Sequence, residues 1–115
     1  MIVTGLAALA LTCGASASWS PPATWLLQAK CVRVKEGPWK ANTGNGYFGG
    51  FQFSRATWRR VGGANDPAFA HPGDPAYPFS VPAHEQLYRA WRLWRLDGRS
   101  WSAWGAIGAS CSLIR

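Results

Sequence analysis

The sequence predicts one α+β domain, mainly α, with a short β-hairpin set between two long helices. Three observations carry that expectation. Apolar residues recur at the helical period over 23–37 and again over 83–96. Between these segments, residues 36–54 read EGPWKANTGNGYFGGFQFS, an acid followed by a glycine-rich aromatic run with the hairpin signal Asn45-Gly46 near its centre. With 115 residues in all, the chain has room for a single core.

Composition narrows the possibilities. Eight Trp, five Phe and three Tyr exceed ordinary usage, and large rings bury much surface at little conformational cost. Some of them are expected to line a ligand groove rather than fill the core. The formal charge is +7, from twelve basic and five acidic residues, so the surface draws polyanions through a screened field. Nucleic acid, anionic lipid and an anionic cell wall all fit that charge. The basic residues stand singly, as at Arg33, Lys35, Lys40, Arg89, Arg92 and Arg95, rather than in one run.

Residues 2–12, IVTGLAALALT, have the length and apolarity of a signal-peptide core, and Ala15-Ser16-Ala17 supplies the small-x-small pattern of a cleavage site. A signal peptide is expected over 1–17 and a mature domain over 18–115, although no Lys or Arg precedes Lys30 to make a basic n-region. The apolar run is too short to span a bilayer as a helix. Cys13 offers a faint lipoprotein site that Thr12 fits poorly. Export implies an oxidising compartment, where Cys31 and Cys111, the cysteines of the mature chain, are expected to pair. Closing the long loop between them stabilises the fold by about 4 kcal/mol on the chain-entropy model.

Ser20 and Pro21 suit a helix cap and first turn, and a helix is expected from Ala23 until Gly37-Pro38 stops it. Trp25, Ala29, Val32 and Glu36 share one face at the 3.6-residue period, with Leu27, Cys31 and Val34 roughly opposite. A helix apolar on two sides is expected to be buried. Glu36 ends the first stripe, where desolvation and the negative end of the helix dipole both disfavour its charged form. Lys35 and Lys40 push the other way through solvent. A carboxyl that keeps its proton is a candidate general acid. The plainer alternative is a helix-end glutamate in a surface ion pair with a neighbouring lysine.

After the Asn45-Gly46 turn, a strand is expected over Tyr47–Phe53, with Phe51 and Phe53 on one face and Phe48, Gly50 and Gln52 on the other. That alternation leaves Gln52 to face a groove, and Gly49-Gly50 admits another segment close by. Ser54 is expected to cap a short helix ending near Val61, before Gly62-Gly63. Gly44-x-Gly46-x-x-Gly49 matches a dinucleotide fingerprint but lacks its strand-then-helix context. Residues 66–82 hold five prolines and form a loop, with Phe69, Tyr77 and Phe79 tacking it to the core. A second long helix is expected over Ala83–Leu96, burying Leu87, Tyr88, Trp91 and Trp94, and Trp101 and Trp104 are assigned to the core. His71 and His84 lack the company of a metal site, and scattered serines give no triad.

The run NTGNGYFGGFQFS, with Thr57-Trp58 and Gly62-Gly63 after it, resembles the catalytic domain of resuscitation-promoting factors and related transglycosylase-like proteins of actinobacteria. HEQLYRAWRLWRLDG over 84–98 and the tryptophan-then-cysteine ending extend the likeness across most of Trp25 to Cys111. The resemblance implies a small lysozyme-like fold that cuts the β-1,4 bond between N-acetylmuramic acid and N-acetylglucosamine in peptidoglycan. It places the catalytic glutamate just upstream of the hairpin, at Glu36, and it supports the Cys31–Cys111 disulfide. It also implies that Gln52 and Thr57 line the substrate groove; Trp39, Asn42, Thr43 and Tyr47, from the same segment, are expected to join them. In the commonest family pattern the glutamate follows the cysteine directly and precedes Ser-Gly-Gly-Asn-Trp, whereas here Val32 to Lys35 intervene and a Glu-Gly-x-Trp core replaces that run.

The expected protein is a secreted, wall-associated monomer acting on glycan strands, with anionic wall polymers as further partners. No cofactor, metal, nucleic acid or stable membrane insertion after cleavage is expected. A non-catalytic wall-binding module is the rival reading. A cationic membrane toxin, resting on Arg89, Arg92 and Arg95 at spacing three, is a third.

Overall fold

The computed structural model describes residues 19–62 and 78–115. The expected signal peptide with Cys13, and Asp66, Phe69, His71 and Tyr77 of the proline-rich loop, lie outside the described residues. Among the described residues the fold is mainly helical: α1 (Ala23–Glu36), α2 (Arg55–Arg60), a 3-10 turn at Pro78–Ser80, α3 (Ala83–Leu96), a 3-10 turn at Ser102–Trp104 and α4 (Gly105–Cys111).

Helix α1 buries Trp25, Ala29 and Val32, the stripe that its spacing predicts. Its opposite side is not buried: Leu27 is 50% and Val34 67% exposed, because only one flank of the helix meets the core. The cap is Pro22 rather than Ser20; the Pro22 carbonyl accepts the Leu26 N–H at 3.0 Å and closes the first turn. Cys31 on the outward side bonds to Cys111, Cα atoms 5.7 Å apart, and fastens α4 against α1. Gln28 reinforces this join, donating to the Ile114 carbonyl at 2.9 Å and accepting from Trp101 Nε1 at 2.7 Å.

The strand expected over Tyr47–Phe53 does not form, and with it the regular two-residue hairpin is lost. Asn42 and Phe48 make one isolated antiparallel bridge, Phe48 and Phe53 another. Phe48 and Phe53 exchange both backbone hydrogen bonds at 2.9 Å, so residues 49–52 are themselves the turn. Gly49 at φ 78° and Gln52 at φ 51° reverse the chain there. Asn45-Gly46 sits in the longer loop from Asn42 to Phe48. The close approach expected at Gly49-Gly50 is real: a Cβ on Gly50 would stand 2.7 Å from the Trp39 ring and 2.9 Å from Arg33 Cδ.

Ser54 caps α2, accepting the Thr57 N–H. Helix α3 has the predicted bounds but buries a different face: Glu85, Gln86, Arg89, Ala90 and Leu93 are enclosed, while Leu87, Trp91 and Trp94 pack partly buried beside the core and Tyr88 is half-buried. Arg89 is fully enclosed. Its guanidinium donates to Glu85 at 2.7 Å, to the carbonyls of Val61 and Gly62, and lies over the Trp58 ring. A buried arginine needs such partners, and its burial removes the first cation from the stripe that suggested a membrane toxin. Trp101 and Trp104 join the core as expected, Trp101 stacking on Trp25 at 5.4 Å. Phe79 meets Phe48 at 5.8 Å and ties the end of the loop to the turn region.

Candidate active site

Helix α1 delivers Glu36 to the edge of a cleft of about 390 Å³. Of the residues expected to bind substrate, Tyr47, Gln52 and Thr57 line the same cleft. Tyr47 comes from the loop, Gln52 from the turn and Thr57 from the first turn of α2. Trp39, Asn42 and Thr43 are not brought there. Trp39 lies half-buried beneath Gly50, edge-on to Phe51 at 5.8 Å with the Arg33 guanidinium 5.0 Å over its ring, so it braces the loop. Asn42 and Thr43 are exposed, Asn42 in its bridge to Phe48.

Among the described residues lining the cleft, Glu36 is the one carboxylate. Partial burial desolvates its charged form and raises its pKa above the ordinary 4.5. The ion pair with Lys35 or Lys40 is absent: the ion pairs among the described residues join Arg60 to Asp97 and Arg89 to Glu85. Glu36 therefore has the two properties that favour holding a proton, a drier setting and no cation in contact.

The remaining walls are of two kinds. Asn45 and Ser54 add polar groups, and Phe51, Phe53, Leu93, Ala103 and Trp104 make an apolar side. Trp104 serves both core and cleft; its Nε1 donates to the Phe51 carbonyl at 2.9 Å, clamping the turn that carries Gln52. Leu93, Ala103 and Trp104 were invisible as site residues because they come from the other end of the chain. A larger cleft of about 610 Å³, bordered by Trp94, Arg99 and Ser112, holds no carboxylate and none of the expected site residues. No three His, Cys, Asp or Glu side chains gather as a metal site among the described residues, nor is any described helix long and apolar enough to cross a membrane.

The chain belongs to the transglycosylase-like domain family, whose model matches residues 22–107, from the cap of α1 into α4. Among its relatives are resuscitation-promoting factors. It is 35% identical over 99 residues to the factor Rpf of Micrococcus luteus, covering 81% of this chain and 39% of that protein. With RpfC of Mycobacterium tuberculosis it shares 48% identity over 50 residues, 44% of this chain and 34% of the relative. With Rpf1 of Corynebacterium glutamicum it shares 45% over 56 residues, 49% of this chain and 28% of the relative. The chain thus spans well under half the length of each of these relatives.

Proposed function

We propose that this domain is a secreted peptidoglycan-cleaving enzyme with a lysozyme-like fold, acting on the β-1,4 bond between N-acetylmuramic acid and N-acetylglucosamine. The observation that carries the proposal is Glu36, unpaired and partly desolvated at the rim of a cleft that has both polar and apolar walls. Glu36 donates its proton to the glycosidic oxygen as the C1–O bond breaks. The carboxylate left behind then takes the proton of the muramic 6-hydroxyl as that oxygen bonds to C1, which gives an anhydro end. Two-carboxylate glycosidases need a second acid flanking the bond, and no second carboxylate lines the cleft among the described residues. That favours the transglycosylase route over hydrolysis.

Tyr47, Gln52 and Thr57 hold the sugars in this scheme. The excess positive charge retains the enzyme on anionic wall polymers. Mass spectrometry of purified peptidoglycan after digestion tests the proposal: anhydromuramyl ends are expected, and reducing muramic ends alone would assign hydrolysis instead. Sedimentation with the wall and no soluble muropeptides would mark a binding module.

A further inference from the structure

The polar wall of the cleft is wired by hydrogen bonds, and in the first relay a backbone donor fixes their direction. The Tyr47 N–H is necessarily a donor, and it points at Asn45 Oδ1, 3.0 Å away. That fixes the Asn45 amide, so the Nδ2 end is the one that donates to Gln52 Oε1 at 3.2 Å. Gln52 is then fixed in turn: its Oε1 accepts, and its Nε2 donates to the Gly49 carbonyl at 3.0 Å with one hydrogen left over.

A second relay runs beside the first. The Thr57 N–H donates to Ser54 Oγ at 3.1 Å, and Ser54 Oγ donates its own hydrogen to Thr57 Oγ1 at 3.0 Å. The Thr57 hydroxyl accepts there, so its hydrogen is available to the cleft. Gln52 also holds a left-handed backbone at φ 51°, a conformation that costs a non-glycine residue energy and recurs at ligand sites.

We propose that Asn45 and Ser54 are positioning residues that make Gln52 and Thr57 hydrogen-bond donors toward the ligand, selecting acetamido groups on the sugar chain. This rests on the glycan reading of the cleft. A carbonyl oxygen accepts two hydrogen bonds and brings no hydrogen of its own, whereas a free amine at neutral pH is a cation with donors only. The acetamido methyl finds the apolar side formed by Leu93, Ala103 and Trp104. De-N-acetylated sugar meets donors with donors and sets a charge against that apolar side.

The test is a double-mutant cycle read by calorimetric titration with tri-N-acetylchitotriose. Asn45→Ser keeps an acceptor for the Tyr47 N–H but cannot reach Gln52. It is expected to weaken binding about 5- to 10-fold. In a Gln52→Ala background the same change is expected to add nothing, because its effect passes through Gln52. Ser54→Gly, which leaves the helix cap nearly intact, is expected to behave likewise against Thr57→Val. Fully de-acetylated chitotriose is expected to bind the parent at least about 10-fold more weakly. Additive effects in both cycles, equal binding of the two sugars, or no binding by the parent overturn the inference. Binding without release of soluble muropeptides from peptidoglycan overturns only the enzymatic reading.

Discussion

Gln86 Oε1 accepts the Gly50 N–H at 2.8 Å, across 36 residues of sequence, in a fully enclosed setting. The other end of the same amide donates to the Trp39 carbonyl at 2.9 Å and the Val81 carbonyl at 3.1 Å. One side chain of α3 thus holds the loop that carries the cleft's polar residues. Replacing Gln86 with Leu orphans three backbone groups, each costing about 1 kcal/mol or more when buried. Urea unfolding of Gln86→Leu is expected to show a loss of about 3 kcal/mol. A loss under about 1 kcal/mol would mean that the loop is held by other contacts.

Gly108 of α4 sits against the Trp101 backbone, and a Cβ there would stand 2.0 Å from the Trp101 carbonyl oxygen. Backbone cannot swing aside as a flexible side chain does. Gly108→Ala is therefore expected to cost about 3 kcal/mol or more, with a matching fall in thermal midpoint. An unchanged midpoint would show that α4 shifts freely.

The disulfide between Cys31 and Cys111 closes an 80-residue separation. Its removal by Cys31→Ser with Cys111→Ser frees the unfolded chain and is expected to lower unfolding free energy by about 4 kcal/mol. Denaturant midpoints of parent and variant under oxidising conditions measure this directly.

Glu36 makes stability depend on pH in a definite sense. Its folded pKa lies above the unfolded value, from desolvation, so the folded state binds the proton more tightly. The stability this contributes is full below the ordinary carboxylate range and is lost as pH rises through the folded pKa. Glu36→Gln never ionises. The variant is expected to gain on the parent as pH rises above the ordinary carboxylate range and to run parallel to it at lower pH. A parent that gains on the variant as pH rises would reveal an ion pair at Glu36 instead.

Several elements were legible in the residues themselves. Helix α3 has the bounds its pattern predicts, and Trp25, Ala29 and Val32 marked the buried face of α1 and the side from which Glu36 projects. The turn at 49–52 was hidden, because alternating Phe residues imitate a strand and nothing in a glutamine announces a left-handed backbone. The buried face of α3 was hidden for a different reason. Glu85 and Arg89 look like a solvent pair, yet their enclosure depends on Val61, Gly62 and Trp58 at the end of α2, which no local period contains. The apolar side of the cleft had the same origin: Leu93, Ala103 and Trp104 reach Glu36 only through tertiary packing.

The role proposed for Glu36 is to break the glycosidic bond with its proton. Release of soluble muropeptides from purified peptidoglycan, compared between the parent and Glu36→Gln with both shown folded by a cooperative thermal transition, is its sharpest test. Release by the parent and a fall of at least about 100-fold in the variant are expected, the scale of a lost general acid. Undiminished release by Glu36→Gln would contradict it.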